Sequence, residues 1–193
     1  FKGVEAIIQS MTPKERIPFS LLMRYLLGKT TDKKERAYLI NHFMDQFKGT
    51  VYRQTMFAEF ELEMGRMSER GEALTADALC AKYHELNKLY FGPDMISDDG
   101  IALEWARIPH FFYNYYVFQY ATGFSAAVAI ANRILTEGKP AVEDYIKFLS
   151  AGSSMDPISV LKIAGVDMTT AQPVNDALKL FNELIDEMAA LAE

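Results

Sequence analysis

An all-α fold is predicted by three features of the sequence. Apolar residues recur three and four apart through most of the chain, and no run fits a strand that does not also fit a helix. Glycine, proline and capping signals then cut the pattern into helix-length pieces. At the N-terminal end, Met11-Thr12-Pro13 predicts the start of a short helix that Ile17-Pro18 ends, before an apolar run from Phe19 to Leu27. The two prolines in so apolar an opening suggest a segment that normally packs on something else. Thr31 and Asp32 cap a pattern through Leu39, Phe43, Phe47, Val51, Phe57, Phe60 and Met64. Only Gly49 interrupts it, which predicts one long helix or two end to end.

Thr75 supplies a capping hydroxyl for the next helix, with Leu79, Tyr83, Leu86 and Tyr90 on its apolar face and Gly92-Pro93 as its stop. Asp94 to Gly100 is a polar loop. Pro109 excludes Ile108 from helical space and makes His110 one of the first residues of the next element. From His110 to Leu135 the pattern predicts a long helix, apolar nearly all round and therefore expected inside a larger structure. Three shorter helices are predicted over Pro140–Ser150, Pro157–Ala164 with Gly165 as its C-cap, and Pro173–Glu193. The last carries a stripe of Val174, Ala177, Leu178, Phe181, Leu184, Ile185 and Met188.

Composition narrows the function. With 193 residues, 50% hydrophobic and 24% charged, the chain is of ordinary globular composition and long enough for a core. Its formal charge of −6, with no basic block, gives no footprint for nucleic acid. The longest apolar stretch, Ala121–Ala131, is too short to span a bilayer, and Lys2 and Glu5 flank too small an apolar patch for a secretory signal. A cytoplasmic protein with no nucleic-acid or membrane partner is expected. The single cysteine, Cys80, excludes an intrachain disulfide and reads as a buried inert thiol.

Few groups are placed for chemistry. In His84-Glu85-Leu86-Asn87-Lys88 a lysine stands where a zincin helix needs its second histidine, so no metal site is expected. His42 and His84 read as surface or packing residues. Glu59 and Glu63 lie one turn apart but lack a Glu-x-x-His partner, and solvated carboxylates are the better account. Ser125 lacks the glycine of a nucleophile elbow. Glu104 and Arg107 form a surface pair or a bridge to the one unusual group, His110 with its tyrosines. On a helix His110, Tyr113, Asn114, Val117 and Tyr120 share a face, with Tyr116 at its edge. An imidazole and phenols on an apolar helix are neutral donors that can hold a peptide carbonyl or an oxyanion. Plain aromatic packing is the simpler account of such a stripe.

Three separated segments add a resemblance. Phe47 to Glu61, Ile101 to Ser125 and Gly165 to Thr169 resemble, in that order, stretches of oligoendopeptidase F, and the likeness runs from about Leu21 to the C-terminus, which sets residues 1–20 apart as an atypical or foreign segment and 21–193 as one helical region. The resemblance implies a C-terminal portion of a zincin-type catalytic domain, related to thimet oligopeptidase, that cleaves short peptides. It implies His110 as a catalytic residue and Tyr113, Tyr116 and Tyr120 as substrate-binding residues. It also implies zinc in the intact enzyme, on ligands that this sequence does not contain, so the chain alone is expected to be inactive. Two other readings stand beside it: a non-catalytic helical module binding peptides or proteins in the His110–Tyr120 groove, and a self-associating fragment.

Overall fold

The computed structural model describes residues 13–192, and among them every regular element is helical. The order is α1 (Pro13–Lys29), α2 (Lys33–Phe47), a π-helical turn (Lys48–Tyr52), α3 (Arg53–Glu69) and α4 (Ala76–Phe91). Two 3-10 stretches (Asp99–Arg107 and Pro109–Phe112) precede α5 (Phe118–Glu137), α6 (Lys139–Ala151), α7 (Pro157–Ile163) and α8 (Gln172–Ala192). The chain divides into two compact units: the described residues up to Phe47 with those from Thr122 onward, and Lys48–Ala121.

In the first unit α5 presents Ala126, Ala127, Ala129 and Ile130 to a core shared with Ile17, Ala164 and Val166. Small residues on α5 let its neighbours approach closely, and aromatic rings fill the rest. Phe47 packs on Phe124 and Phe181, with ring centroids 4.9 Å and 5.1 Å apart. Arg36 of α2 pairs with Glu187 of α8 and donates to the Leu27 carbonyl near the end of α1. Gly165 ends α7 at φ +74°, as its C-cap role predicts, and the Arg133 guanidinium donates to the Ala164 carbonyl beside it.

Two expectations fail in this unit or lie beyond it. Ile17-Pro18 does not end the first helix, because α1 runs through Pro18 to Lys29. The proline sits exposed near the start of the helix, while Ile17, Phe19 and Ser20 around it are buried, so packing outweighs one lost backbone bond. Of the segment 1–20 set apart above, residues 1–12 lie outside the described residues.

The second unit is built on α3 and α4. Thr75 caps α4 as its sequence predicts, its hydroxyl accepting from the Ala78 N–H at 3.2 Å, and Gly92 stops the helix at φ +79°. The pattern of residues 31–70, which predicts one long helix or two end to end, is two helices joined by the π turn around Gly49. Met56, Phe57, Phe60, Leu79, Tyr83, Leu86, Ile108 and Val117 form the core. Ile108 is extended, as Pro109 requires. The helix expected to start at His110 begins instead at Phe118. Asn114 and Tyr115 take the left-handed conformation (φ +53° and +60°), which no right-handed helix can contain.

Candidate functional site: a histidine boxed by tyrosines

The segment between Ile108 and Phe118 is pinned at three places. Ile108 and Val117 are buried in the core, and the Phe111 ring packs on Phe57 and Phe60 at 5.6 Å and 5.3 Å. Between these anchors the chain makes a short 3-10 turn and then the left-handed pair. His110, Tyr113 and Tyr116 are left on the outer side, where Tyr120 at the start of α5 meets them.

The four residues predicted as a site are brought together, although not by a shared helical face. The His110 imidazole is half-buried, stacked on Tyr116 at 5.8 Å and edge-on to Tyr113 and Tyr120 at 5.8 Å and 5.5 Å. Tyr116 in turn contacts the rings of Tyr113 and Tyr120 at 6.2 Å and 5.7 Å. Nε2 of His110 and the Tyr120 hydroxyl are hydrogen-bonded at 2.9 Å. Whichever of the two donates, the pair keeps one polar hydrogen that this bond does not use. Tyr113 and Tyr116 are exposed, so the box is open to solvent on one side. Such a cluster can donate hydrogen bonds to a carbonyl and present aromatic faces to a bound chain. Asn114 and Val117, placed on the same face by helical spacing, do not join it: Asn114 is exposed in the left-handed turn and Val117 is in the core.

Three acids are more closely engaged than sequence spacing indicates. Glu104 is no exposed partner of Arg107: its side chain is 9% exposed, and it pairs with both Arg53 and Arg107 while accepting the Tyr83 hydroxyl at 2.6 Å. Burial, and then that bond to the carboxylate, push the Tyr83 phenol well above the usual tyrosine range. Glu59 likewise accepts from the Tyr90 hydroxyl at 2.6 Å, so it is not simply solvated, whereas Glu63 pairs with Arg66 at 2.6 Å. Glu61, which spacing alone did not single out, is 6% exposed and accepts the Tyr115 backbone N–H at 2.7 Å. A signal for it existed, since Glu61 stands four residues after Phe57 and three before Met64, on the apolar stripe of α3.

Of the other polar groups some have local partners, whereas His42 Nε2 and Ser20 Oγ are buried with no hydrogen-bond partner. His84 Nε2 bonds the Ser97 hydroxyl at 3.0 Å, and the His42 ring packs between Phe19 and Tyr38. Cys80 is half-buried and accepts from the Trp105 indole N–H at 3.3 Å. Among the described residues no three histidine, cysteine or acidic side chains gather as metal ligands, and no helix is long and apolar enough to cross a membrane.

Comparison with known proteins agrees with this architecture. Residues 20–180 match the model of peptidase family M3. The chain is 56% identical over 172 residues to oligopeptidase PepF of Bacillus subtilis, covering 89% of this chain and 26% of that protein. It is 44% identical over 174 residues to the chromosomal oligoendopeptidase F of Lactococcus lactis, covering 90% and 29%. The crystal structure of oligoendopeptidase-F from Enterococcus faecium superposes with a TM-score of 0.86 at 50% identity, over 89% of this chain and 33% of that one. The chain thus spans about a quarter to a third of the length of the relatives it matches. By the extent of that match, the chain belongs to peptidase family M3.

Proposed function

We propose that these residues are a helical portion of a peptidase acting on short peptides, and that the His110 cluster is its substrate-binding and oxyanion-stabilising face. The observation that carries the reading is the His110–Tyr120 hydrogen bond inside a box of tyrosines open on one side. A peptide carbonyl gains negative charge as it is attacked, and donors already held in place stabilise that charge without reorganising. His110 and Tyr120 are held to each other by their hydrogen bond, and the exposed Tyr113 and Tyr116 beside them carry phenol hydroxyls. Tyr113 and Tyr116 hold the imidazole plane and line the approach. Zinc, which the family resemblance implies, finds no ligand set among the described residues of this chain. The contribution assigned here is therefore hydrogen bonding and positioning alone.

The test is kinetic, in the full-length protein that carries this chain, with an internally quenched fluorescent peptide. His110→Ala is expected to lower kcat/KM by about a hundredfold, with most of the loss in kcat, and Tyr120→Phe by about tenfold. Wild-type turnover by His110→Ala overturns the assignment. A loss confined to KM favours a module that only holds peptides.

A further inference from the structure

The left-handed pair beside the site needs something to hold it. Asn114 and Tyr115 sit at φ +53° and +60°, a region costly for residues with a side chain, and two in succession are rare. Besides the core anchors on either side, one polar contact holds the pair itself: the Tyr115 N–H donates to Glu61 Oε1 at 2.7 Å. Glu61 is 6% exposed, and its second oxygen, Oε2, is buried without a hydrogen-bond partner. A carboxylate kept half-satisfied on the apolar face of α3 is unfavourable for folding, and apolar residues are the ordinary occupants of such a position. One turn further along α3, Gly65 lies under the Tyr115 hydroxyl, which a Cβ there would approach to 2.5 Å. The acid and the glycine thus receive the same residue, Tyr115, from two successive turns.

We propose that Glu61 is a positioning residue, whose acceptance of the Tyr115 N–H fixes the turn that packs Tyr113 and Tyr116 against His110. This rests on the reading of the His110 cluster as a peptidase's substrate face. Glu61 touches no substrate. It sets where two tyrosines stand, and ångström-scale misplacement of such groups is costly in rate.

Three variants of the full-length protein test it. Glu61→Met keeps the volume and removes the acceptor; Glu61→Gln restores a carbonyl oxygen; Asn114→Val opposes the left-handed turn from its exposed side. For Glu61→Met and Asn114→Val, kcat on a quenched fluorescent peptide is expected to fall about tenfold or more, with KM changed less than about threefold. Glu61→Gln should stay within about threefold of wild type. Amide hydrogen exchange, which does not depend on activity, should rise over residues 113–116 in Glu61→Met while α3 and α4 stay protected. Unchanged exchange there in folded Glu61→Met overturns the proposal, as does wild-type kcat in Glu61→Met or Asn114→Val. Wild-type activity in His110→Ala instead overturns the reading of the site, and the exchange result still decides whether Glu61 holds the turn.

Discussion

Tyr83 has no solvent exposure at all, yet its hydroxyl donates to Glu104 at 2.6 Å. Burial first, and the carboxylate second, oppose loss of its proton; the same two causes act on Tyr90 through Glu59, and burial alone on Tyr145. A phenol whose folded pKa is raised keeps its proton above about pH 10, where the unfolded chain gives it up. The stability it contributes is whole below about pH 10 and is lost as pH rises from there toward the folded pKa. Tyr83→Phe should therefore make the fall in unfolding free energy between about pH 10 and about pH 11 shallower, by up to about 1.4 kcal/mol per pH unit. Urea unfolding of both proteins across that range measures it, and parallel slopes would count against the buried bond. Individual residues were unevenly legible in the sequence. His110 stood out because Pro109 and a run of aromatics mark it, but Glu61 and Glu104 did not. An acid's worth depends on which distant N–H, guanidinium or hydroxyl faces it, and spacing along one chain carries none of that.

Local signals placed the helices well where the cause of a boundary is local. Thr75 starts α4 because its hydroxyl accepts from the Ala78 N–H, and Gly92 ends it because φ +79° is cheap for glycine. Thr75→Ala is expected to cost about 1 kcal/mol of unfolding free energy, whereas Thr75→Ser should be nearly neutral. Chemical denaturation of the two variants checks this, and an equal loss in both would show that the hydroxyl is not the source of the cap's strength. Boundaries with a tertiary cause were misread. Pro18 carries a stop signal, but buried Ile17 and Phe19 keep α1 continuous. The His110–Leu135 pattern reads as one helix, but Phe111 and Val117 are drawn into the core and Glu61 captures the Tyr115 N–H, so α5 waits until Phe118. The tyrosines gather by a route other than a shared helical face. Helical spacing and a turn folded back on itself happen to gather Tyr113, Tyr116 and Tyr120 around His110.

At the scale of the molecule, what the chain holds and what it lacks point the same way. It carries a donor-rich aromatic face, and its three histidines are far apart in use: one bonded to Ser97, one to Tyr120 and one packed between Tyr38 and Phe19. None has the second imidazole one turn away that a zincin helix supplies, and no acidic or thiol group completes a set among the described residues. Relatives that match 89% of this chain extend to several times its length, leaving ample sequence elsewhere for a metal centre. The purified 193-residue chain is therefore expected to retain less than about a tenth of an equivalent of zinc after dialysis, and to leave a quenched fluorescent peptide uncut with or without added zinc. Metal analysis and the peptide assay on one preparation decide it together. Stoichiometric zinc with chelator-sensitive cleavage would mean that ligands are assembled here after all, between copies of the chain, since a single copy offers no histidine pair one turn apart. Absence of both would agree with zinc ligands lying in sequence outside this chain, and the role proposed for His110 would still be decided by the kinetics of His110→Ala.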